Sequence, residues 1–212
     1  MIAAALRFRQ FAARAANLAR QDSGLAAVEF SLILPILVLL WFGGVELTQA
    51  LSVDRRLNNV ASAIGDLVAQ YKNLTEEDVG LIFSIAPGAM FPFCGKEPDP
   101  AADCDAKGLG MRITAVDLDE DGNATIAWSL GHGVAEYEDE NMNLVVPVGL
   151  RGESEDDDRQ VIVSEVFYIY RPAVGYVLTD EVELEDRMFF VPRLSDKVGL
   201  CTTLDPTPTG CV

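Results

Sequence analysis

From Leu25 to Val45 the chain reads LAAVEFSLILPILVLLWFGGV, 21 residues with one charge, Glu29. A helix rises about 1.5 Å per residue, so about 20 apolar residues cover the hydrocarbon core of a bilayer. The run predicts a transmembrane helix. Pro35 removes the helix bond to the Ser31 carbonyl and predicts a kink, which the Ser31 hydroxyl or a neighbouring helix would compensate. Gly43 and Gly44 permit close helix packing. Beyond the span, Leu57, Val60, Ala61, Ile64, Leu67, Val68 and Tyr71 recur at three- and four-residue spacing, with Asn58, Asn59, Ser62 and Asp66 on the other face. That period extends the helix, now amphipathic, to about residue 71.

Asn73-Leu74-Thr75 interrupts the pattern. Thr75-Glu76-Glu77-Asp78 then resembles a helix cap ahead of Val79, Leu81, Ile82 and Ile85, predicting a short helix that ends near Pro87-Gly88. The Pro-, Asp- and Gly-rich stretch to Gly108 predicts a connection. Met111–Val116 and Ala124–Trp128 flank Asp121-Gly122 and predict a hairpin. Val145–Leu150 and Val161–Tyr170 supply two more strand candidates. In the latter, Val161, Val163, Phe167 and Ile169 share one face, and Ile162, Val166, Tyr168 and Tyr170 the other, so both faces must be covered. The fold class is α+β: a long N-terminal helix whose amphipathic half packs on a small, mainly antiparallel sheet.

Charge divides the chain as sharply as hydropathy does. The net charge is −17, yet residues 1–24 hold Arg7, Arg9, Arg14 and Arg20 against Asp22 alone, while residues 46–212 hold 12 basic and 31 acidic side chains. The arginines precede the span, so the positive-inside rule puts the N-terminus in the cytoplasm and exports the rest. A cleavable secretory signal would have a shorter apolar region and a close small-x-small site, whereas Ala61-Ser62-Ala63 lies far downstream. An organellar transit peptide would not be followed directly by a full span. So acidic a distal region repels phosphate backbones and excludes nucleic acid as a partner.

The four cysteines close two loops of equal length, Cys94–Cys104 and Cys201–Cys211. Zinc sites bring ligands two to four residues apart and recruit histidine, but His132 is the only one, so disulfides and an oxidising compartment are expected. Pairing within each loop is the simplest of three connectivities; a link between the loops is the alternative. Each bridge would stabilise by about 2–3 kcal/mol in the chain-entropy model. The expected divisions are a basic cytoplasmic leader (1–24), a transmembrane helix (25–45), an amphipathic continuation (46–71) and an acidic extracytoplasmic α+β domain (72–212).

Glu29 is the anomaly, because an ionisable group in a membrane helix costs on the order of 3 kcal/mol and needs a partner. Gly24-Leu25-Ala26-Ala27-Val28-Glu29-Phe30 resembles the processing motif of type IV pilins, especially of the tight-adherence branch. With Pro35, Glu46 and the continuation through Arg55, Arg56 and Ala61, residues 22–65 resemble the TadE family of pilus-assembly proteins. VIVSEVFYIYRP at 161–172 and FFVPRL at 189–194, followed by Cys201, are loosely similar to that family's C-terminal half, with a long acidic insertion between. The resemblance implies a pilin-like helix on a sheet. It implies a prepilin peptidase that cuts after Gly24 and makes Leu25 the first mature residue, while Glu29, followed by Phe30, neutralises the new amine of a neighbouring subunit. It also implies a minor pilin or pseudopilin in the bacterial inner membrane, with a periplasmic C-terminal domain and with pilin-like subunits, secretion machinery and membrane lipid as partners.

Other candidate chemistry is weaker. Asp117-x-Asp119-x-Asp121-Gly122 satisfies the first half of a calcium loop, but position 12 would be Trp128 where a bidentate glutamate is needed. An acidic hairpin turn is the plainer reading, so no metal is expected. EYEDE at 136–140 and ESEDDD at 153–158 read as solvated loops. The chain lacks Gly-x-Ser-x-Gly, a phosphate-binding glycine loop and Cys-x-x-Cys, and His132, in Gly131-His132-Gly133, reads as a turn. No enzyme and no cofactor are expected. The competing function is a signal-anchored, cation-dependent periplasmic adhesin or binding protein.

Overall fold

The computed structural model describes residues 23–96, 98–118, 124–138, 146–147, 150, 159–172, 180–201 and 211. The basic leader, most of the two acidic stretches and the residues around the hairpin turn lie outside them. The chain divides into two compact units, Met1–Leu47 and Thr48–Val212. Helix α1 (Ser23–Val68) contributes to both and runs through Pro35 as one element. In the first unit its residues are almost all exposed, and it is long and apolar enough to cross a membrane.

The second unit is built on the distal part of α1. Val53, Leu57, Val60, Ala61, Ile64 and Val68 are fully buried at three- and four-residue spacing. They share a core with Met111, Ile113, Ala115, Ile162, Val166, Tyr168 and Tyr170 from the inner sheet face. Leu67 and Tyr71, expected on that apolar stripe, stay exposed. The helix also ends sooner than its periodicity suggests. Tyr71 N–H bonds to the Val68 carbonyl (3.0 Å), while the Ala69 and Lys72 carbonyls accept from Arg193 N–H (2.9 Å) and Gly199 N–H (3.0 Å). These tertiary bonds draw the chain out of the helix into β1 (Asn73–Thr75).

Thr75 caps α2 (Glu76–Phe83) through a reciprocal box: Asp78 N–H donates to Thr75 Oγ1 (3.2 Å) and Thr75 N–H donates to an Asp78 carboxylate oxygen (2.9 Å). The Thr75 hydroxyl, which donates to the same carboxylate (2.7 Å), and next the Thr75 N–H hold the Asp78 carboxyl below its ordinary pKa. The helix stops before the expected Pro87-Gly88, which instead lies inside α3 (Ala86–Met90), where proline fits the first turn. The stretch read as connection contains α4 (Pro100–Ala106), started by Asp99, whose carboxylate accepts from Ala102 N–H (3.1 Å). Cys94 is joined to Cys104 and Cys201 to Cys211.

The four-stranded sheet, in the order β3-β2-β4-β5, is antiparallel throughout. β2 (Gly110–Leu118) and β3 (Ala124–His132) form the expected hairpin, longer at the ends and bulged at Ala115/Val116. β4 (Arg159–Tyr170) is central and buried on both faces, as its two apolar faces require. β5 (Val182–Phe190), which the sequence pattern did not reveal, forms an edge. A parallel pair joins β1 to β6 (Gly199–Cys201). The expected strand at 145–150 is not one in its described residues. Pro147 has no N–H for a ladder, and its carbonyl accepts from Leu150 N–H in a turn (2.9 Å). Val146 buries its side chain against Val116, Leu118, Val161 and Val163 on the outer sheet face.

At Gly65 of α1 a Cβ atom would overlap the Phe190 ring of β5. Gly65→Val should therefore destabilise the domain by about 1–3 kcal/mol, the usual cost of overpacking. Urea unfolding of the detergent-extracted protein measures it; an unchanged midpoint would show that Phe190 moves aside freely.

Candidate functional site

Two places carry unusual chemistry, the start of α1 and the outer face of the sheet. Ser23 is the first described residue of α1 and Gly24 lies in its first turn. Leu25 is 64% exposed and Phe30 59%, with Val28 and Glu29 exposed beside them. Leu25 and Glu29 are one turn apart, so they lie on one face of the helix. Among the described residues, no hydrogen bond or ion pair reaches the Glu29 carboxylate. The Ser31 hydroxyl donates to the Val28 carbonyl (2.8 Å), so it is engaged one turn back from its own carbonyl.

Residues 24–65 match the TadE-like protein family. The match ties this segment to tight-adherence pilus assembly, and the apolar helix is compatible with a single-pass anchor. The TadE-like segment contains Gly24, Leu25, Glu29 and Phe30 and ends within the buried stripe of α1, next to Ile64. No curated protein and no solved structure matches the chain.

The second place was missed by sequence reasoning. Glu165 in the centre of β4 is fully buried and stands opposite Arg112 of β2 and Arg187 of β5. Arg112 Nε donates to Glu165 Oε2 (2.8 Å), and Arg187 Nε (2.6 Å) and the Tyr137 hydroxyl (3.1 Å) donate to Oε1. The Arg112 guanidinium lies 3.5 Å from the Tyr137 ring centre and donates to the Ala135 carbonyl (3.0 Å). Burial, and next the charge of Glu165, push the Tyr137 hydroxyl above its ordinary pKa, partly offset by Arg112 and Arg187. The cluster pins residues 135–137 across the outer face. A lone acid inside the apolar run Val161–Tyr170 was the available signal, because a buried carboxylate demands cations on adjacent strands.

The remaining sequence candidates separate. Asp117 accepts from Gln160 Nε2 (3.0 Å) and Lys197 Nζ (3.0 Å), which ties β2 to the segment before β6. Asp119 and Asp121 lie outside the described residues, and among those described no group of three acidic, His or Cys side chains is placed to hold a metal. His132 is the last residue of β3, not part of a loop, and its Nε2 lies 2.9 Å from the Asp105 carboxylate. Cys94, Cys104 and Cys201 are buried in their disulfides.

Glu165→Ala would remove the buried carboxylate shared by two partly exposed guanidinium groups and should cost more in chemical unfolding than the roughly 0–1 kcal/mol of an exposed ion pair; a loss below about 1 kcal/mol would refute the network's structural weight. Tyr137 gives a pH test. Its folded pKa lies above the unfolded one, so its contribution is complete below the ordinary tyrosine value, about 10. Stability should fall as pH rises through that value towards the folded one. Tyr137→Phe should flatten that alkaline decline in thermal melts, and an unchanged slope would count against it.

Proposed function

We propose that this chain is a minor pilin-like or pseudopilin-like subunit of a tight-adherence pilus or secretion assembly. On this reading Leu25–Val45 anchors it in a bacterial inner membrane, residues 1–24 are a cytoplasmic leader, and the acidic unit stands on the periplasmic side. The observation that carries the proposal is the family match over residues 24–65, with Gly24 and Glu29 set one short spacing apart at the head of an exposed apolar helix. Its role is structural, not enzymatic, and its partners are other pilin-like subunits, the assembly machinery, a prepilin peptidase and membrane lipid.

The chemistry of the helix start supports a processed subunit. Cutting after Gly24 leaves a cationic amine on Leu25 at the end of a helix where the backbone dipole is already positive. In an apolar bundle that charge is costly. Glu29 lies one turn further in, so the carboxylate of an adjacent subunit meets the amine when the two helices are staggered, and neutralises it. Glycine at 24 offers a peptidase cleft minimal bulk, and the bond lies in the first described turn, so little helix must open for access.

The two residues act at different steps, so their variants should differ. Gly24→Arg should leave full-length precursor in the membrane, seen by intact mass. Glu29→Ala should still be cut yet be depleted from assembled fibres, because an unpaired amine in an apolar bundle costs several kcal/mol. Retention of residues 1–24 by the wild-type chain in cells with an active prepilin peptidase would defeat the proposal.

A further inference from the structure

The distal end of α1 carries an exposed apolar platform that the proposed anchor and processing site do not use. Leu67 and Tyr71 at the helix end are 36% and 41% exposed, and Val191 and Leu194 after β5 are 48% and 59% exposed. The two segments are locked together: Arg193 N–H donates to the Ala69 carbonyl (2.9 Å) and the Arg193 guanidinium pairs with Asp66. The platform is thus built from backbone-fixed elements.

Its charge sets it apart from the rest of the domain. The segments 66–72 and 191–196 carry Asp66, Lys72, Arg193 and Asp196, which sum to zero, within a region where acids outnumber bases by 31 to 12. By contrast, the exposed Leu81 on α2 and Ile85 just beyond it follow Glu76, Glu77 and Asp78. Two copies of so acidic a chain repel over most of their surface, and that repulsion is least where charge balances. The Asp66–Arg193 pair is partly exposed, 36% at Asp66 and 57% at Arg193, and puts both signs on one patch. It is therefore self-complementary under a two-fold, with Arg193 of each copy facing Asp66 of the other.

We propose that this platform is a contact surface for a second copy of the same chain. Four partly exposed side chains fall far short of the roughly 1,600 Å² of a stable interface. The contact is therefore weak between free molecules and gains its strength when both copies are anchored in one membrane, which raises their effective concentration. That last step rests on the anchored reading above, whereas the surface itself does not.

The test uses the full chain in native membranes, with benzoylphenylalanine in place of Tyr71 as a photo-crosslinker. Wild-type chain should give an adduct of two copies. Arg193→Asp and Asp66→Arg, each expressed alone, place like charges across the two-fold and should lower the adduct about tenfold or more. Co-expressing the two variants should restore it, between unlike copies only. The doubly exchanged chain, Asp66→Arg with Arg193→Asp, keeps the internal pair and should crosslink like wild type, which separates lost contact from lost folding. An adduct that persists in both single variants, that forms only with a different protein, or that co-expression does not restore would overturn the proposal. Failure of the chain to fractionate with membranes would instead remove the anchored reading.

Discussion

The arrangement of the distal unit depends on one packing requirement, the burial of the apolar stripe of α1. Val53, Leu57, Val60, Ala61, Ile64 and Val68 lie on one side of a helix and cannot cover one another. The inner sheet face supplies the cover, and Gly65 permits the approach of the Phe190 ring on β5. β4 must then satisfy two surfaces at once. Ile162, Val166, Tyr168 and Tyr170 face the helix, while Val161 and Val163 join the outer cluster with Val146. The carboxylate of Glu165, held by arginines from both neighbouring strands, lies on that outer side. Apolar packing thus fixes the inner layer, and a charged network fixes the register of β2, β4 and β5 in the outer one.

Those elements were legible in the sequence wherever a single period ran uninterrupted. The long apolar run, the Thr75 cap, the hairpin and the two-faced β4 each announce themselves locally. β5 does not, because it is an edge strand. Glu183, Glu185 and Arg187 alternate with Val182 and Leu184, and then Asp186 falls between Arg187 and Glu185 and masks the period. Leu67 and Tyr71 fit the helical spacing but not the burial, and Tyr71 lies beyond Val68, where the helix stops. Val146 looked like part of a strand because an apolar side chain pressed onto a sheet from a loop has the same local composition as one inside it. α4 was obscured by the very residues that begin it, Asp99 and Pro100, which serve equally well in turns.

The candidate site divides along the same line between local and distant information. Gly24 to Phe30 is a contiguous motif, and a family match covers it. The network around Glu165 draws on residues 112, 137 and 187, and only the strand register brings them together. The partner of Asp117 was hidden for a related reason. Its spacing from Asp119 and Asp121 satisfies only half of a calcium loop, and the cation it meets is Lys197, distant in sequence.

The parallel pairing of β1 with β6 has a consequence for how such a chain is made. Asn73–Thr75 lies soon after α1, and its partner Gly199–Cys201 follows only after every strand of the four-stranded sheet. Contacts so distant along the chain form late. The domain therefore cannot close until residues 199–201 are available to pair with β1. Topology thus sets the order of folding, with β6 acting as the latch.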